Sequence, residues 1–278
     1  MNKPLFSFEF FPPQTPEGVK KLTAARAKLS ALNPEFFSVT FGAGGSTQDR
    51  TMETIRLIHA EGHHAAPHLS CVGSTRDNIR ALLLAYKELG IKRIVALRGD
   101  LPSGMHSIGE FQYANELVSF IRAQTGEHFH IEVAAYPEFH PQARTAHDDL
   151  LNFKRKVSAG ADSAITQYFY NADAYFRFVE DSRKLGITAP IVPGIMPIMK
   201  FSQLARFSDM CGAEIPRWMR KTLEGYGDDT ESVQAFGLDV VTQLCEKLIA
   251  GGAPGLHFYT LNQANASLEI LNRLGYHA

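Results

Sequence analysis

Short apolar runs alternate along this chain with longer stretches in which apolar residues recur at helical spacing. The first run, Phe6-Ser7-Phe8-Glu9-Phe10-Phe11, stops at Pro12-Pro13, a pair that cannot continue a sheet ladder. It predicts a buried strand with one carboxylate, Glu9, just before its end. Behind it, Val19, Leu22, Leu29 and Leu32 recur at helical intervals, with Thr15 placed to cap the helix and Pro16 in its first turn. The same alternation repeats to the end of the chain. Further strands are predicted over 36–41, 65–72, 91–100, 130–137, 163–170, 191–198 and 256–261. Helices are predicted over 47–61, 75–90, 109–124, 146–159, 172–185, 201–211, 216–223, 230–250 and 263–274.

Strands alternating with helices, and no hairpin signal between them, mean parallel strands joined by right-handed crossovers. Eight such units in 278 residues fit a closed (β/α)8 TIM barrel, whose usual size is roughly 250 residues. A doubly wound open sheet is the alternative architecture. The extra helical segments after the seventh strand read as an insertion in one connection. No linker, low-complexity tract or repeat interrupts the pattern, so residues 1–278 are expected to form a single catalytic domain.

Composition narrows the class without naming a function. The chain is 45% hydrophobic and 21% charged with a net charge of -1, which gives no support to nucleic-acid or membrane-surface binding. Cys71, Cys211 and Cys245 are scattered and lack CxxC spacing, which argues for a reducing, cytoplasmic setting and against a zinc cluster. No apolar run has signal-peptide character, and none approaches the roughly 18 residues of a membrane span.

In a barrel the active site lies at the C-terminal ends of the strands. Those ends carry Glu9, Thr40, His68, Asp100, Tyr136, Gln167 and Thr260, while the strand bodies are apolar. Individually each has an ordinary structural explanation; a common mouth accounts for them together. Two carboxylates there suggest a division of labour, one held protonated by an apolar setting and one ionised to stabilise positive charge. Gly99 is expected to let the backbone approach a flat ligand. Arg155 and Lys156 are candidates for a phosphate or pyrophosphate, although a basic pair on a helix is more often solvated surface. The Gly42–Ser46 loop has a phosphate-cradle composition but lacks the P-loop lysine and the GxGxxG spacing, so an N-cap turn is the better reading. A Schiff-base lysine is poorly served, with Lys92 at the wrong end of its strand and Lys200 marginal. His68, Asp100 and His140 could serve a metal hydrolase, yet no HxH or HExxH falls at a strand end, and no metal is expected.

The motifs themselves go further. FSFEFFPP, SVTFGAGG, APHLSC, IVALRGD, AAYPEFHP, DLLNFKRKVSAGAD, AITQYF, PGIMPI and HFYTLN, in this order, resemble the methylenetetrahydrofolate reductase family, in its short form without a C-terminal regulatory extension. The resemblance implies a barrel that holds FAD, takes hydride from NADH or NADPH, and reduces methylenetetrahydrofolate to methyltetrahydrofolate for one-carbon metabolism and methionine synthesis. It implies that Glu9 is the general acid of folate ring opening and that Asp100 favours the iminium cation. Gln167, Phe207 and Gln263 map to substrate contacts, together with Glu9 and Asp100. FAD contacts map to Thr40, His68, Arg98, Gly99, Asp100, Tyr113, Ala114, Tyr136, His140, Asp149, Asn152, Arg155 and Lys156. Gln263 departs from the arginine common in the family after YTLN, which removes a cation available to an anionic part of the folate or nicotinamide. Expected partners are these small molecules and further copies of the chain in a homo-oligomer. Another flavin or folate barrel enzyme, and a non-catalytic folate-binding paralogue, are the competing readings; a paralogue would usually have lost Glu9 or Asp100.

Overall fold

The computed structural model describes residues 4–41, 45–100 and 109–277. The first six apolar runs form β1 (Leu5–Phe10), β2 (Phe36–Val39), β3 (Ala65–Ser70), β4 (Arg93–Leu97), β5 (His130–Ala135) and β6 (Ser163–Thr166). Most are shorter than the runs that predict them, because the polar residue at the end leaves the ladder. Thr40, Asp100, Tyr136 and Gln167 all lie just past their strands. The seventh run is cut at Pro193 into β7 (Ile191–Val192) and β8 (Gly194–Ile195), and the eighth is β9 (Gly255–Tyr259).

All pairings are parallel, in the order β7-β6-β5-β4-β3-β2-β1-β9-β8. The two ends of this order are the two halves of one run, so the nearly closed barrel joins through Pro193. Proline supplies no N–H, but its carbonyl accepts from His257 N at 3.0 Å. The next amide, Gly194 N, donates to Thr166 Oγ1 at 2.9 Å in place of a ladder partner. A Cβ on Gly194 would stand 2.1 Å from Thr166 O, so only glycine permits this approach. The first half of the run therefore pairs with β6, and the second turns to β9. The sequence pattern predicts one continuous strand here, and the prolines divide it.

The helices are α1 (Pro16–Ser30), α2 (Gly45–Ala60), α3 (Arg76–Glu88), α4 (Ala114–Thr125), α5 (Ala146–Ser158), α6 (Ala172–Lys184), α7 (Phe201–Cys211), α8 (Arg217–Tyr226), α9 (Thr230–Ala250) and α10 (Asn265–Arg273). Thr15 caps α1 by accepting from Gly18 N, as its position predicts. The largest boundary shift is at the helix expected from residue 109, which begins at Ala114. Gly109 has φ +83° and Tyr113 is extended, neither compatible with a helical turn. The insertion after the seventh strand is α7 and α8, with α9 completing the crossover. Most buried apolar side chains form one cluster between sheet and helices, whereas Phe36, Ala66, Val95 and Ile165 form a second, with Leu97 packed against it. At the N-terminal ends of the strands Arg93 pairs with Glu35 and the buried Glu132, which also accepts from Ser163.

Candidate active site

A cavity of about 870 Å³ opens at the C-terminal ends of the strands, with Val95, Leu97 and Ile165 among its apolar walls. Its volume is in the range of small-molecule sites. Of the residues singled out in the sequence, Glu9, Thr40, His68, Gly99, Asp100, Tyr136, His140, Gln167, Phe207 and Thr260 all line it. They come from most of the strands and from α7, so only closure of the barrel brings them together.

Glu9 sits next to last on β1, paired in register with Tyr259 of β9 and Ser38 of β2. Its main-chain carbonyl accepts from Thr260 Oγ1 at 2.6 Å. Its carboxylate Oε2 lies 3.3 Å from His68 Nε2 and 3.6 Å from His257 Nε2. Neither contact is aligned as a hydrogen bond, and both imidazole nitrogens are buried without another partner. His257 is wholly buried behind the cavity wall, and its Nδ1 is 2.7 Å from Ser7 Oγ, the residue opposite it in the β1–β9 register.

This arrangement corrects the expectation that burial keeps Glu9 protonated. Burial does raise its pKa, but the nearby imidazoles of His68 and His257 outweigh it and bring the carboxyl to about 2. Glu9 is accordingly held as a carboxylate in this arrangement. His257 and Ser7 are the residues that the sequence reading missed. The signal was there: Ser7 and Glu9, like His257 and Tyr259, are polar residues two apart in otherwise apolar strands, the spacing of one strand face.

Asp100 is exposed at the cavity wall, just past β4. Burial, with the negative charge of Asp100 adding to it, pushes the Tyr136 phenol up to about 12. Gly99 has φ +87°, and a Cβ there would fall 1.9 Å from Ser70 Oγ. Close packing against β3 excludes a side chain at this position, which lines the cavity. Gln167 Oε1 accepts from Tyr168 N at 3.0 Å. Phe207 lies half-buried on α7, with the Arg206 guanidinium 5.4 Å from its ring centre.

The remaining expected residues stand around the cavity rather than on its wall. Arg98 donates to Gln142 Oε1 at 2.6 Å, and Gln142 lines the cavity. Asp149 accepts from His140 N at 2.9 Å. Burial lowers the His140 imidazole pKa despite Asp149. Lys156 donates to the carbonyl of Ala134, itself a lining residue, at 2.5 Å. Burial brings this ammonium down to about 8, with only Asp149 pulling the other way. A desolvated cation beside the cavity fits an anionic group such as a phosphate. Asn152 and Arg155 bond to each other on the exposed side of α5. Tyr113 is 55% exposed and, with Ala114, starts α4 away from the wall. Gln263 is exposed, anchored by its main-chain N–H on Thr260 O. The Gly42–Ser46 loop lies partly outside the described residues, and so is not placed. Among the described residues no group of His, Cys, Asp and Glu is arranged to hold a metal ion.

The family model for methylenetetrahydrofolate reductase matches residues 1–275. The chain belongs to the methylenetetrahydrofolate reductase family. It is 44% identical over 270 residues to the 5,10-methylenetetrahydrofolate reductase of Escherichia coli K12, covering 97% of this chain and 90% of that one. Identity to the enzyme of Pectobacterium carotovorum is 42% over the same share of this chain. A probable NADH-type methylenetetrahydrofolate reductase of rice is 41% identical, and the match spans 48% of its length. Among solved structures, a Clostridium thermocellum protein described as binding two copies of 5-methyl-5,6,7,8-tetrahydrofolic acid superposes with a TM-score of 0.69 at 18% identity. That match covers 99% of this chain and 95% of the other, and it shows the shared barrel fold. This family is one of oxidoreductases.

Proposed function

We propose that this chain reduces methylenetetrahydrofolate to methyltetrahydrofolate with a reduced nicotinamide, the two substrates taking turns in the one large cavity. The observation that carries the reading is the Glu9–His68–His257 cluster on the cavity wall: a carboxylate facing the ligand space with two buried imidazoles behind it. Ring opening of the folate needs a proton at its leaving nitrogen. Glu9, on the cavity wall with His68 and His257 beside its carboxylate, is the residue placed to deliver one. The iminium left by ring opening is cationic, and Asp100, which lines the same cavity, opposes it with negative charge. Gln167 and Phe207 serve as polar and stacking contacts for whichever substrate is present.

Hydride transfer between the two substrates is chemistry that bound FAD would supply and no side chain can. The residues fit such a group. Lys156 and Arg98, beside the cavity, are the cations that would meet its phosphates, and Thr40, His68, Tyr136 and His140 give a wall of hydrogen-bonding and aromatic side chains. We read the chain as one cytoplasmic catalytic domain. Among the described residues no helix is long and apolar enough to cross a membrane.

The test is the absorption spectrum of the purified protein, followed anaerobically on addition of NADH or NADPH and then of methylenetetrahydrofolate. Flavin absorption that bleaches with nicotinamide and returns with the folate is the expected result. A colourless protein that gains no absorption from added FAD, or a flavin that the folate does not reoxidise, would overturn it.

A further inference from the structure

The helix at the mouth packs on the barrel through Leu204 and the partly buried Phe201, Ala205, Phe207 and Cys211. Within α7 only Leu204 and Ser208 are buried, one turn apart on the same face. Ser208 is polar, and its partner is the Tyr168 hydroxyl at 3.0 Å, with both side chains buried. Tyr168 belongs to the barrel: it follows Gln167 at the end of β6, and its ring lines the cavity. Its own amide donates to the Gln167 side chain, and its ring packs edge-on against Tyr170 and Tyr259. The Tyr259 hydroxyl in turn donates to Thr166 O at 2.7 Å. A rigid set of aromatic rings on the barrel thus presents one hydroxyl to one hydroxyl of the helix. Phe207, beside Ser208, and Cys211, one turn further on, both face the cavity. Removing the Tyr168 hydroxyl strands that of Ser208 in a buried place, whereas without Ser208 the Tyr168 hydroxyl keeps Cys211, further along the same helix, as its neighbour.

We propose that Tyr168 is a positioning residue: through Ser208 it fixes α7 against the end of β6, and so sets where Phe207 stands over the cavity. This rests on the reading above that Phe207 contacts substrate. The consequence is specific. The tie governs affinity for both substrates, because both meet the same ring, and leaves the chemical step untouched.

Ser208→Ala is the cleaner probe, since Ser208 does not line the cavity and alanine is the best helix former. In the flavin-loaded protein, KM for methylenetetrahydrofolate and KM for the nicotinamide should rise by a common factor of about three to ten, the size of one net hydrogen bond, with kcat unchanged. Calorimetric binding of 5-methyltetrahydrofolate should weaken by the same factor, a readout free of turnover. Tyr168→Phe should act in the same direction, and the double variant should be no weaker than the worse single one, because both remove one interaction. A fall in kcat at unchanged KM, factors that multiply in the double variant, or a change confined to one substrate would overturn the proposal. Should Tyr168→Phe fail to fold, the Ser208→Ala measurements decide alone. Turnover by the unmodified chain tests the functional reading, whereas the ratio of variant to unmodified chain tests only the tie.

Discussion

At the scale of single residues, Glu9 is defined by what surrounds it. Glu9→Gln keeps shape and a hydrogen-bonding group but cannot pass on a proton. Folate-dependent reoxidation of the flavin should fall by about 10²–10⁴-fold, while flavin reduction by nicotinamide, which opens no ring, stays near normal. Stopped-flow measurement of the two half-reactions separates them, and an equal loss in both would make Glu9 structural. The same carboxyl leaves a mark on stability. Its pKa in the fold, about 2, is below the ordinary 4.5, so the unfolded chain takes up protons first as pH falls. The stabilisation from Glu9 is therefore complete above 4.5 and disappears toward 2, and urea midpoints should drop across that window more steeply in the native chain than in Glu9→Gln. Gly99 is as tightly constrained by packing. Gly99→Ala meets both a positive φ and Ser70 Oγ, and should cost at least about 1–3 kcal/mol, read from the same urea titrations. Adding Ser70→Ala should recover part of that loss; no recovery would show that the backbone angle alone is responsible.

At the scale of elements, the divided seventh strand and α7 shape the mouth. Thr166 Oγ1 takes the N–H that Pro193 and the turn toward β9 leave without a ladder partner. Thr166→Val keeps the shape and removes that acceptor, leaving a buried amide unsatisfied. It should lower stability by about 1–3 kcal/mol, whereas Thr166→Ser stays close to the native value. If valine is as stable as serine, the closure does not depend on this bond. Helix periodicity foretold α7 to the residue, because its Gly212 end has φ +75° and stops it sharply. It could not show that Ser208 turns inward to meet Tyr168, since a serine in a helix reads as an exposed position.

For the whole molecule, closure of the barrel makes one cavity of the strand ends. Glu9, Asp100, Gln167 and Phe207 line one cavity, so in the proposed reaction nicotinamide and folate compete for the same space. Steady-state initial rates should give parallel double-reciprocal lines, with high folate inhibiting competitively against nicotinamide. Intersecting lines, or a complex holding both substrates at once, would mean separate sites.

The sequence by itself determined the order of the apolar runs, the parallel arrangement and the family, though not the division of the seventh run, because hydrophobic period and local motifs are properties of neighbours in the chain. It also marked Glu9, His68, Asp100 and Gln167 as residues of a mouth, since a polar group ending an apolar strand is visible without coordinates. What only the tertiary structure decided are contacts across the ring. Ser7 and His257 are 250 positions apart, and the register of β1 on β9 puts them side by side. From that pairing comes the sign of the Glu9 shift: burial alone raises a carboxyl's pKa, and two imidazoles brought in from β3 and β9 reverse it. Electrostatic neighbours at such separations are fixed by closure of the sheet, which no local pattern encodes.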